Sequence, residues 1–211
     1  MLDVRVGDLE AGVISSIDLV GAVPVAVLRR LALVAEKQPR CVESLRLAGM
    51  SCEGPPAEVR GALKDALSKS QRLGRLILGP CTAHGGELLA GSAADAVALA
   101  TAVARATRLA EVSVDCRMFG GSVDASRAFF GALGAAEAAA RPHALFVLNA
   151  GASSADCDAV AAMLGSPFAS KVQKLCLVGL AGGAATSLAA GSRLGDAVAA
   201  ACSRASSLGL Q

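Results

Sequence analysis

The chain has 211 residues, of which 54% are hydrophobic, 18% charged and 2% aromatic, with no Trp or Tyr and a formal charge of +2. That apolar content excludes a disordered chain and is enough to bury a substantial core. The near-balanced charge gives no electrostatic footprint for nucleic acid, and the lack of Tyr and Trp removes phenol chemistry and most base-stacking surfaces.

Residues 1–12, beginning Met1-Leu2-Asp3-Val4-Arg5, read as a lead-in or cap, without the basic start and apolar run of a secretory segment. One phrase then recurs: an aliphatic residue, two spacers, a second aliphatic, one spacer, a third aliphatic. It runs Ile14-Ser-Ser-Ile17-Asp-Leu19, Val42-Glu-Ser-Leu45-Arg-Leu47, Leu73-Gly-Arg-Leu76-Ile-Leu78 and Leu109-Ala-Glu-Val112-Ser-Val114. It continues as Pro142-His-Ala-Leu145-Phe-Val147, Val172-Gln-Lys-Leu175-Cys-Leu177 and Ala205-Ser-Ser-Leu208-Gly-Leu210. The central aliphatic falls at 17, 45, 76, 112, 145, 175 and 208, so the period is 28 to 36 residues. Such self-similarity marks a repeat architecture.

Between the phrases lie helical patterns. Val27, Leu28, Leu31 and Ala35 form one stripe, and Pro55-Pro56 opens another with Val59, Leu63, Ala66 and Leu67. Ser92-Ala-Ala-Asp95 resembles a capping box ahead of Val97, Leu99, Ala100 and Val103. Phe129, Phe130, Leu133 and Ala136 make the fourth stripe. Ser153-Ser-Ala-Asp156 repeats the capping device ahead of Val160, Met163 and Leu164, and Leu194, Val198, Ala201 and Cys202 complete the set. The unit is strand, loop, helix, loop, and 1–211 reads as one domain of six to seven such units.

The residue between the last two aliphatics decides between two architectures. Strands buried on both faces of a doubly wound sheet are apolar throughout. Here that residue is Asp18, Arg46, Ile77, Ser113, Phe146, Cys176 and Gly209. The polar members predict a sheet with helices on one side only, although the fifth and sixth strands are apolar on both faces.

The LxxLxL phrase followed by a helix resembles the leucine-rich repeat, in particular the ribonuclease-inhibitor-like class, over residues 13–211. The resemblance implies an α/β fold, an open solenoid or horseshoe with parallel strands on the concave face and helices on the convex face. The family's structural Asn or Cys, three residues after the last aliphatic, falls here on Ala22, Met50, Cys81, Arg117, Ala150 and Leu180, and only Cys81 complies. The repeats are therefore read as degenerate.

Several short segments resemble chemical motifs. Phe146-Val-Leu-Asn149-Ala150-Gly151 resembles a short-chain dehydrogenase element, but that chemistry needs a Tyr and the chain has none. Leu177-Val-Gly179-Leu-Ala-Gly182-Gly183 lacks the spacing and the Lys-Ser/Thr pair of a phosphate loop, and reads as a tight turn. Cys81 and His84 are the one thiol and imidazole close in sequence, and would serve a small α/β enzyme if the imidazole took the thiol proton. At the repeat's structural position Cys81 should instead point inward and stay protonated. Seven scattered Cys without a CxxC pair, and with Cys81-x-x-His84 as the one CxxH spacing, predict reduced thiols and no metal site, hence an intracellular, cytoplasmic protein. Leu175–Ser192 is uncharged over 18 residues, but its Gly-rich turn fits a strand and loop better than a membrane span.

Function is thereby expected on the surface, without enzyme activity or cofactor. The concave face should carry Ser16, Asp18, Val20, Ser44, Arg46, Ala48, Arg75, Ile77, Gly79, Glu111, Ser113 and Asp115. It should continue through Ala144, Phe146, Leu148, Lys174, Cys176, Val178, Ser207, Gly209 and Gln211. The partner-binding candidates are Arg46, Arg75, Ile77, Glu111, Asp115, Phe146, Leu148, Lys174, Cys176 and Val178, with Phe146, Leu148, Cys176 and Val178 as an apolar patch. A one-residue register slip would put Phe146 and Leu148 inside instead. The expected role is a protein-binding scaffold or adaptor in a larger intracellular or cytoskeletal assembly. A regulatory role of GTPase-activating or actin-capping type is the alternative that the resemblance allows. The final phrase should be an edge strand without a cap, covered by further chain or by a neighbour.

Overall fold

The computed structural model describes residues 7–8, 11–12, 15–38, 41–135, 140, 142–149, 154–179, 188–203 and 207–210, with 154–156, 188–192, 201–202 and 207–210 as backbone only. Its strands are β1 Ser16–Pro24, β2 Ser44–Glu53, β3 Arg75–Leu78, β4 Cys81–Thr82, β5 Glu111–Asp115, β6 Ala144–Leu148, β7 Lys174–Val178 and β8 Ser207–Leu210. Its helices are α1 Val25–Lys37, α2 Pro56–Lys69, α3 Ala93–Ala104, α4 Val123–Ala135, α5 Ser154–Leu164 and α6 Leu188–Cys202.

The strands form one open parallel sheet in the order β1-β2-β3-β5-β6-β7-β8, with β4 pairing β2. The chain thus adds each strand beside the one before it, with a helix in most of the crossovers. The central aliphatics of the seven phrases lie in one register row: Ile17 beside Leu45, then Leu76, Val112, Leu145, Leu175 and Leu208. A backbone motif repeats with them. The carbonyls of Ser15, Glu43, Gly74, Ala110 and His143 each accept hydrogen bonds from two successive N–H groups of the next unit, at 2.7–3.1 Å.

Each helix packs against its chain neighbours, α1 on α2 through to α5 on α6. The buried residues form one contiguous cluster that combines the inward strand side chains with the apolar stripes of the helices. Leu45, Leu47, Leu76 and Leu78 are all at most 2% exposed. On the opposite face Asp18, Arg46, Arg75 and Lys174 are exposed, so the core lies between the sheet and the helices. Phe146 and Leu148 stand on that same opposite face while Leu145 and Val147 are buried, so no register slip occurs at β6.

Local chemistry explains the helix starts. Pro56 occupies the first turn of α2, where its missing N–H costs nothing. The Ser92 hydroxyl accepts the Asp95 N–H at 3.2 Å and donates to the Asp95 carboxylate at 2.5 Å, so the expected box closes on the hydroxyl. One helical expectation needs correction. Val97 is 42% exposed, and Ala96 takes the core position beside Leu99 and Ala100. The hundred-degree step of the helix puts Ala96, Leu99, Ala100 and Val103 on one face and turns Val97 away from it.

Phe119, Phe129 and Phe130 form a buried aromatic cluster with ring centroids 5.4–6.1 Å apart. Phe119 reaches it from a 3-10 turn, Cys116–Phe119, which Gly120 ends at a left-handed φ of 60°. The left-handed φ is what favours glycine at this turn, since the Leu88 Cδ1 that a Cβ at Gly120 would meet is the movable end of a flexible side chain. The Ser153 capping device, Ala136, Ala150, Gly151, Leu180, Gly182, Gly183 and Gln211 lie outside the described residues. Among the described residues no helix is long and apolar enough to cross a membrane.

Because Leu76 is completely buried in the middle of the register row, Leu76→Ala is expected to cost about 2–5 kcal/mol through lost transfer energy and a residual cavity. Urea unfolding of the two proteins measures this, and coincident transitions would contradict the register.

Candidate functional site

Side chains alternate across each strand, so burying the aliphatics presents the intervening residues on the other face. The register rows place them side by side. The first row runs Ser16, Ser44, Arg75, Glu111, Ala144 and Lys174, and the second Asp18, Arg46, Ile77, Ser113, Phe146 and Cys176. The structure therefore brings all ten sequence-predicted residues onto one face of the sheet, with Asp115, Leu148 and Val178 at its far end.

The face has two halves. Toward β1 it is charged: Asp18 lies beside Arg46, and Arg75 Nε donates to Glu111 Oε1 at 2.8 Å. Such a solvent-facing pair adds about 0–1 kcal/mol, so its consequence is mutual neutralisation more than stability. Toward β7 the face is apolar. Phe146, Leu148, Cys176 and Val178 are half-buried neighbours in two register pairs. Lys174 fringes the patch with Nζ 5.1 Å from the Phe146 ring centroid, a cation–π contact worth about 0.5–1 kcal/mol at an exposed site. Ile77 is half-buried at the boundary between the halves.

Two residues of this face depart from expectation. Ser113 is only 8% exposed, since it lies between the larger Ile77 and Phe146 in the row. Asp115 is also 8% exposed and does not present an open acid. It accepts from Arg117 Nε and from Arg117 Nη2, the latter at 2.6 Å, from the Arg117 N–H at 3.1 Å, and from Asn149 Nδ2 at 2.9 Å. Burial pushes the Asp115 carboxyl up, but these hydrogen bonds and the Arg117 charge outweigh it and hold the pKa below the ordinary aspartate value.

Asn149 makes this arrangement possible. It ends β6 at a φ of 54°, a left-handed conformation Asn tolerates better than most residues, and so turns its amide toward the neighbouring strand. Gly179 follows at the end of β7 with a φ of 76°, and a Cβ there would lie 3.0 Å from the Asn149 Cα. Of the Asn-Ala-Gly and Gly-rich segments, Asn149 just after β6 and Leu177–Gly179 at the end of β7 are described, and the remainder lies outside the described residues. Sequence reading missed Asp115's partners because they come from a residue two positions on and from the next repeat.

Cys81 lies on β4 and is buried, and burial pushes its thiol up to about 11. A thiol held protonated at neutral pH is a poor nucleophile. His84 is exposed on the following 3-10 turn, His84–Gly86. Among the described residues no group of three or more His, Cys, Asp or Glu side chains is placed to hold a metal ion. No family model matches the chain, and no curated protein matches its sequence.

Asn149→Gly keeps the left-handed turn while deleting the donor to Asp115, and is expected to cost about 1 kcal/mol at pH 7. Because the folded pKa of Asp115 is lowered, its contribution is complete above the unfolded value and is lost as pH falls through the folded one. The difference between variant and parent should therefore shrink below about pH 3.9. Chemical denaturation from pH 7 to 2 measures it, and a pH-independent difference would show that the carboxylate is not the acceptor that matters.

Proposed function

We propose that the chain is a non-enzymatic protein-binding array of leucine-rich-repeat type, a solenoid whose uncovered sheet face receives a partner protein within a larger intracellular assembly. The observation that carries this reading is the half-buried patch of Phe146, Leu148, Cys176 and Val178 on the sheet face opposite the core. An aromatic side chain ringed by aliphatics and one cation has the composition of an interface anchor, since large apolar groups near a desolvated centre carry most binding energy. The charged half beside it, with Arg46 and Arg75 exposed, sets orientation and encounter more than affinity.

The strand order supports the solenoid, because strands that follow chain order with neighbouring helices in contact are what stacked repeats produce. An extended sheet face built this way suits a macromolecular partner better than a small molecule, which is held in a concave, enclosed pocket. The buried, protonated Cys81 thiol weighs against the enzymatic alternative.

Phe146→Ser is the direct test, with Leu33→Ser as control, since Leu33 is 54% exposed on α1. Affinity capture with mass spectrometry should retain a partner set on the parent and on Leu33→Ser that Phe146→Ser loses, at nearly unchanged melting temperatures. A captured set that Phe146→Ser leaves intact would contradict the patch, and unfolding by Phe146→Ser would make Phe146 a core residue.

A further inference from the structure

The loops that lead from helix to strand carry a second, chemically different surface. Arg72, Arg108 and Lys171 each stand four residues before the central aliphatic of their strand, Leu76, Val112 and Leu175. The same position is Arg141 before Leu145 and Arg204 before Leu208 in the sequence, both outside the described residues. With 20 Lys and Arg in 211 residues, a cation at one phase in five consecutive copies of the aliphatic phrase does not follow from composition. Compensation of helix C-termini does not explain the phase either. Arg72, Arg108 and Lys171 lie three, four and seven residues beyond the ends of α2, α3 and α5, whereas their distance to the strand is constant.

In the structure these three cations line one open groove of about 700 Å³ along the edge of the sheet where the strands begin. His143 lines it too, and Glu43 is the one carboxylate among its lining residues. A second groove of about 430 Å³ shares Arg72 and Arg108 and adds Arg105. Among the described residues none of Arg72, Arg105, Arg108 and Lys171 forms an ion pair, whereas Arg29, Arg60, Arg75, Arg117 and Arg193 all do. The loops that carry these cations feed strands spaced about 4.8 Å apart, and an extended chain presents side chains on one face about every 6.6–6.8 Å.

We propose that this groove binds an extended, Asp/Glu-rich segment of a partner protein, laid across the strand starts. A peptide is favoured over nucleic acid because neither groove is lined by a Phe, Tyr or Trp ring, and His143 is the single stacking ring among the lining residues. Phe119, Phe129, Phe130 and Phe168 are all buried in the core, and Phe146 stands on the sheet face. The site is separate from the apolar patch, so either can fail without the other.

Fluorescence anisotropy of the full chain with a labelled deca-glutamate peptide tests this, with a labelled deca-thymidine strand as the competing probe. The double variant Arg72→Glu/Arg108→Glu reverses the groove. Lys64→Glu/Arg127→Glu makes the same change in net charge on exposed positions of α2 and α4. Deca-glutamate should bind at low salt, weaken as salt rises, and lose about tenfold or more on the groove variant while the control variant binds like the parent. Arg72→Gln/Arg108→Gln, which introduces no repulsion, should show a smaller loss in the same direction and replaces the reversal if that variant does not fold by circular dichroism. No binding at low salt, equal losses on both double variants, or tighter binding of deca-thymidine with the same sensitivity would each overturn the proposal.

Discussion

Everything in this structure depends on keeping one row of aliphatic side chains in phase. Ile17, Leu45, Leu76, Val112, Leu145, Leu175 and Leu208 are register partners across seven strands, and those with described side chains are at most 1% exposed. The side-chain period of a strand is two, so a slip of one residue at any strand would turn its leucines to solvent and its charged residues into the core. Inserting Arg46 or Lys174 among the buried leucines is prohibitive without a partner. The carbonyls just before β1, β2, β3, β5 and β6, each accepting two N–H groups of the next unit, add a backbone clamp at the same phase, so hydrophobic pattern and hydrogen bonding specify one register together.

That constraint makes the other face available. Residues between the aliphatics contribute little to the core, and their chemistry changes along the sheet from charged at β1–β5 to apolar at β6–β7. The helices are equally indifferent to what the open face carries. Their packing rests on small residues, with Ala96, Ala100 and Ala125 fully buried, and on the cluster that Phe129 and Phe130 of α4 form with Phe119. A sheet whose core and open-face residues occupy alternate positions can change one set without the other, which is why the proposed function rests on the open-face positions alone.

The sheet was legible in the sequence because its signal is redundant. Seven copies of one phrase predict strand centres, parallel pairing and inward side chains even when the period varies from 28 to 36, since loops absorb the difference. The two-residue strand β4 was not legible, being too short for any periodicity and set off from β3 by Gly79-Pro80. In α3 the hydrophobic Val97 drew the reading away from Ala96, because alanine is a weak marker of a buried face in a chain rich in it. The ten candidate residues share one sheet face as the register pairs them, but their exposure was not legible. Asp115 looked like a free acid because Arg117 and Asn149 become its neighbours only through a 3-10 turn and an adjacent repeat. The row of cations before the strands was present in the sequence throughout, but it emerges only when residues are aligned on strand phase instead of on helix ends.

Native thiols report most directly on whether one sheet face is covered and the other open. Cys176 stands half-buried on the open face of β7, whereas Cys52 and Cys81 lie buried at the sheet and Cys157 is buried on α5. Alkylation of the folded protein, resolved by residue with peptide mass spectrometry, should modify Cys176 while Cys52, Cys81 and Cys157 stay protected until denaturant is added. Protection of Cys176 equal to that of Cys81 would contradict an open sheet face.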